Sequence, residues 1–129
     1  MRINKSLITF SNVSGVESGI YTPTWSGLLN VDAVTAYSCQ YMRVGDTVTV
    51  SGWVNIDATV DNTLTRLSFS LPINAIATNV NFLNGTAAAE GGYPTGCIFG
   101  YTTDYGKFET TPTVDTPLNY SFHYTYRLS

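Results

Sequence analysis

Two stretches of this chain alternate apolar and polar side chains, and that period of two constrains its fold more than any other feature. In Thr47–Asp57, Val48, Val50, Val54 and Ile56 fall on one face, and Thr47, Thr49, Ser51, Trp53 and Asn55 on the other. In Leu118–Leu128, Tyr120, Phe122, Tyr124, Tyr126 and Leu128 share a face, opposite Ser121, His123 and Thr125. A helix would scatter these residues around its circumference. A strand puts each set on one side, so both segments read as strands with one face in a core. Gly52 falls in phase with the apolar row, and its missing side chain marks a bend or a place where a large group packs across the strand.

The same grammar extends to three further strands. Ala36–Arg43 alternates Tyr37, Cys39 and Tyr41 against Ser38, Gln40 and Met42, and the short Val44-Gly45-Asp46-Thr47 junction predicts an antiparallel hairpin with the strand that follows. Leu64–Leu71 carries Leu67, Phe69 and Leu71 in phase, and Gly96–Tyr101 is a shorter strand. Asp61-Asn62 and Thr103-Asp104-Tyr105-Gly106 read as turns. The N-terminal third is less regular: a strand at Leu7–Phe10, a break from Gly15 to Gly19, and an extended Ile20–Trp25 whose Pro23 suits an edge strand or an arm. Ala87–Pro94 reads as a surface loop. About seven short strands without a convincing helix predict an all-β fold, a single antiparallel β-sandwich or jelly roll. The domain spans residues 19–129, preceded by an N-terminal arm over residues 1–18.

Composition narrows the function. Charged residues make up 12% of the 129, about half the usual share, so much of the surface is uncharged or covered by another chain. A formal net charge of −3 leaves no basic field for nucleic acid. No apolar run is long enough for a membrane-spanning helix, and Met1–Phe10 makes a poor signal peptide, so synthesis in the cytoplasm without export is expected.

Chemistry-bearing residues form no constellation. His123, the one histidine, lies on the polar face of its strand and reads as a surface or interface residue. Cys39 and Cys97 lack metal-ligand spacing and read as two buried thiols, with a disulfide between them as the alternative in an oxidising exterior. The nine carboxylates fall mostly in turns or at strand ends without recognisable pairing. The expectation is a protein without catalytic residues, metal site or cofactor. Aromatic side chains are the remaining candidates for contact, because Tyr and Trp combine an apolar face with a hydrogen-bonding edge. Trp53, out of phase with the core row, is expected at a subunit interface. Glu90, Tyr93, Tyr101 and Tyr105 are expected at an exposed tip.

A series of short motifs adds a resemblance. Tyr21-Thr22-Pro23-Thr24, the run from Thr35 to Gly52 with Tyr41-Met42-Arg43-Val44-Gly45-Asp46-Thr47-Val48-Thr49-Val50-Ser51-Gly52 at its centre, Ser70-Leu71-Pro72-Ile73 and Asn84-Gly85-Thr86-Ala87 together resemble a β-module of tailed-bacteriophage virion proteins. The resemblance implies a trimeric, non-enzymatic module on the exterior of a phage particle, with no catalytic residues to carry over. Chain length favours a capsid decoration or head-fibre protein over a tail-fibre or receptor-binding component. Its partners would be itself and the major capsid protein or another virion protein. The arm would dock on the head through Ile3, Leu7, Ile8 and Phe10. The competing expectation is a tail-fibre or receptor-binding module that recognises host surface carbohydrate or protein through the exposed tip.

Overall fold

The computed structural model describes residues 16–74, 81–92 and 94–128. Ten strands run in chain order: β1 (Val16–Tyr21), β2 (Trp25–Leu29), β3 (Val31–Ala36), β4 (Cys39–Val44), β5 (Thr47–Ala58), β6 (Thr65–Ser70), β7 (Asn84–Ala89), β8 (Thr95–Gly100), β9 (Tyr105–Thr110) and β10 (Leu118–Arg127). All pairings are antiparallel, within one sheet of order β1-β4-β5-β10-β7-β8-β9-β6-β2. The exceptionally long β5 pairs with β4 over its first half and with β3 over its second. The described residues contain no α-helix. The all-β expectation therefore holds, as one antiparallel sheet curled into a half-barrel.

The two alternating segments lie side by side, and their apolar faces form the middle of the core. Tyr126 pairs with Val48, Tyr124 with Val50, Phe122 with Gly52 and Tyr120 with Val54. Each rung sets an aromatic ring beside a β-branched or absent side chain, the kind of cross-strand pair that stabilises sheets. Burial of each ring contributes on the order of 2 kcal/mol. The space left at Gly52 is filled by Cys39 from β4, which sits where a side chain on residue 52 would have to go. Val44 and Thr47 close the predicted hairpin around Gly45-Asp46, with Gly45 at φ +60°, where glycine avoids the steric cost.

Three local expectations are overturned. Ala87–Ala89 is not loop but the end of β7, an interior strand, with Ala87 and Ala89 buried against Phe122 and Tyr120. Alanine has weak strand preference, yet here small side chains leave room for the β10 rings, and packing decides. The break placed at Gly15–Gly19 is strand from Val16 onward, because β1 pairs with β4 from Val16↔Val44 to Tyr21↔Cys39. The turn at Thr103–Gly106 is shorter than expected, since Tyr105 and Gly106 already belong to β9. Pro23 is buried at a corner between β1 and β2 and in neither strand, so the missing donor costs no ladder bond.

That corner sets the curl. β1 and β2 stand at opposite ends of the strand order but are joined by three residues, Thr22 to Thr24. Three residues span only about 10 Å, so the sheet must bring its two edges together. Tyrosine hydroxyls tie the closure. Tyr21 donates to the Ser70 carbonyl at 3.1 Å, which leaves Tyr124 as donor in their 2.7 Å hydroxyl pair. The Tyr126 hydroxyl donates to the Ile73 carbonyl at 2.6 Å and accepts from the Ile73 amide at 3.2 Å. At the opposite end of the sheet, Asn30, at φ +61°, accepts from the Val60 amide and donates to the Val60 carbonyl and to Thr65. It thereby fastens the β2–β3 corner to the β5–β6 connection.

Candidate functional site

With the aromatic rungs turned inward, chemistry accessible to solvent lies mainly on the outer face, which the register divides into three regions. Along β1 and β4, Ile20, Met42 and Val44 point outward in the rows Ile20–Gln40–Ser51, Ser18–Met42–Thr49 and Val16–Val44–Thr47. Ile20 is 70% exposed and Met42 55%, beside a shallow depression of about 570 Å3 between β1, β4 and β5. Among the described residues β1 pairs only with β4, which makes it an edge strand of the sheet. Glu17, on the inward side of β1, is 3.5 Å from Arg43 of β4.

Trp53 belongs to the same outer surface. It sits where β5 passes from β4 to β3, stacked on Tyr37 with ring centroids 3.7 Å apart and planes at 8°. It retains 39% exposure. The notch between β3 and β4 lets Tyr37 lie over the indole, a partner that alternation alone could not reveal.

The middle of the outer face is a trough floored by small side chains, including Ser51, Ala88, Gly96 and Ser121. His123 stands there, exposed as the alternation predicted, with its Nε2 3.3 Å from the Thr86 hydroxyl. Thr86 pairs with Cys97, and Cys97 with Glu109, whose carboxylate is held at 2.5 Å by Arg66. Thr86 separates histidine from thiol, and the neighbouring carboxylate is neutralised by a guanidinium. No group of three or more His, Cys, Asp or Glu side chains suitable for a metal occurs among the described residues. The cysteine expectation divides. Cys39 is a buried thiol, pushed up to about 11 by burial. Cys97 is exposed on the outer face, because β8 turns positions 95, 97 and 99 outward.

The expected tip residues do not converge. β7 and β8 form an antiparallel hairpin from Asn84↔Phe99 to Ala88↔Thr95. Glu90, in the 3-10 turn Glu90–Gly92, therefore lies at one end of the sheet, its Oε1 accepting from the Asn119 amide at 3.4 Å. Tyr101 and Tyr105 lie at the other, roughly 17 Å away for strands of this length. Tyr93 lies outside the described residues, as do Ile3, Leu7, Ile8 and Phe10.

At the Tyr101 end the outer face becomes aromatic and cationic. Lys107 Nζ is 4.2 Å from the Tyr101 ring centroid, and the Arg127 guanidinium is 5.0 Å from that of Phe82. Phe99 pairs with Lys107, and Tyr105 begins the next strand. The lone Tyr expectations pointed here, but Phe82, Phe99, Lys107 and Arg127 were missed because only the register brings them to one end. Compared with known protein families, curated proteins and solved structures, the chain matches none.

Proposed function

We propose that the chain is a non-enzymatic structural module of a tailed-phage particle, a trimer that decorates the head. The observation that carries this reading is the outer surface around β1, the edge strand among the described residues, where Ile20, Met42 and Val44 are exposed and continuous with Trp53. Exposed apolar surface along an edge strand is costly for a monomer and fits a face that another chain covers. In the trimer, each copy sets this surface against its neighbour, and the curled sheet serves as the jelly-roll-like body. The segment preceding β1 would be the arm that docks on the capsid protein through Ile3, Leu7, Ile8 and Phe10.

Electron microscopy of the phage particle whose genome encodes the chain tests the location. Density for this sheet on the head is expected, and its absence from the particle overturns the proposal. A variant lacking residues 2–15, which leaves β1 whole, is expected to stay oligomeric but to be lost from particles. Light scattering tests the assembly: three copies of the 14.0 kDa chain are expected, and Met42→Lys combined with Ile20→Lys is expected to give folded monomers. A wild-type chain that is monomeric at every concentration refutes the trimer.

A further inference from the structure

The described residues hold four cationic side chains, and the sheet treats them in two ways. Arg43 and Arg66 are paired with Glu17 and Glu109. Lys107 and Arg127 instead lie over the rings of Tyr101 and Phe82, at the same end of the outer face. Phe82 precedes the first β7–β8 rung by two residues and Tyr101 follows it by two, so they flank the open end of that ladder. Tyr101 is 53% exposed and Phe82 49%, with Phe99 and Tyr105 partly exposed beside them.

From this arrangement we propose that the end of the sheet formed by Phe82, Phe99, Tyr101, Tyr105, Lys107 and Arg127 is a binding platform for an acidic carbohydrate. The C–H face of a pyranose packs against an exposed aromatic ring, which supplies apolar contact, while sugar hydroxyls reach hydrogen-bonding groups at the rim. The anionic group selects for the cations. Lys107 and Arg127 spend no charge on a carboxylate among the described residues, and each is held over a ring, which fixes the charge in place before any ligand arrives. In a chain of formal charge −3, two such cations on one aromatic surface favour an anion locally against the overall field. Two acidic residues flank the cations: Asp104 in the β8–β9 turn, which accepts from Thr103 at 3.4 Å, and Asp46, whose carbonyl accepts from the Leu128 amide next to Arg127. The platform borders the β1 surface proposed for assembly, because Arg127 pairs with Thr47 and Thr47 with Val44, while Phe82, Phe99, Tyr101, Tyr105 and Lys107 lie on the far side of β10 from it.

The test uses the full chain and matched probes: 3′-sialyllactose, trigalacturonic acid and a heparin tetrasaccharide, with lactose and maltotriose as neutral controls. Saturation-transfer NMR and titration calorimetry are expected to show at least one acidic probe binding, with the neutral sugars weaker. Lys107→Gln and Arg127→Gln are each expected to weaken that binding about tenfold, the scale of one lost charge-assisted contact. Tyr101→Ala is expected to abolish it, with the melting temperature and oligomer mass unchanged. Failure of all three acidic probes to bind, or binding undiminished by these substitutions, overturns the proposal. Dissociation of the oligomer by the same substitutions also overturns it, because the face would then be a contact between copies of the chain.

Discussion

Gly85 has no room for a side chain: a Cβ there would meet the His123 carbonyl and the Cβ and Cα of Tyr124. The obstruction is largely backbone of the central strand, which cannot move without breaking rungs on both sides. Gly85→Val is expected to cost about 3 kcal/mol, read as a shift in the denaturant midpoint. The cysteines differ as sharply. Cys39 is packed over Gly52 with its thiol pushed up to about 11 by burial, whereas Cys97 is exposed. Ellman's reagent is expected to titrate one thiol in the native protein and the second only after unfolding. Two fast-reacting thiols would show that Cys39 is not sealed. The sequence made the inward set of β5 and β10 legible, because period-two alternation is a local property. It did not separate the two cysteines, whose exposure depends on which face of a distant strand they occupy.

The elements most poorly read are those whose residues were chosen to accommodate neighbours. β7 is Asn-Gly-Thr-Ala-Ala-Ala, a composition that argues against a strand until the ring opposite each small residue is known. β2 and β3 escaped notice because they are short and meet at Asn30, whose left-handed backbone is stabilised by contacts about thirty residues away. β1 was blurred by Ser18-Gly19, yet Gly19 is where the Tyr41 ring lies over the strand. The same crowding of rings has a pH consequence. Burial raises the phenol pKa of Tyr21, Tyr124, Tyr126 and Tyr120 above the ordinary value of 10.0. The folded state thus holds these protons more tightly than the unfolded chain does. Their contribution to stability is complete below about pH 10 and is lost as pH rises further, when unfolding releases the protons. Loss of the β-sheet circular dichroism signal is expected to coincide with the rise in tyrosinate absorbance from these four residues. Full ionisation of all the tyrosines with the sheet intact would contradict the burial argument.

For the whole molecule, the sheet curls because its two edge strands are consecutive in the chain, a topological fact that periodicity cannot express. The outer face is likewise a product of register. Ile20, Met42 and Val44 come together through β1–β4 pairing, and Phe82, Tyr101, Lys107 and Arg127 through the β7–β8–β9 meander and its neighbour β10. Aromatic content hinted that contact surfaces exist, and the strand order set them on either side of β10. One further property follows from the rungs Val16↔Val44, Val44↔Thr47 and Thr47↔Arg127. They put the first described residue of the sheet within three strand spacings, about 14 Å, of its last rung. Tension applied between these points would act across the strands and open the hydrogen bonds one at a time, as a zipper opens, rather than shearing a whole ladder together. The fold is therefore mechanically compliant along that axis, and load entering at both points would peel β1 away while the β5–β10 pair still held.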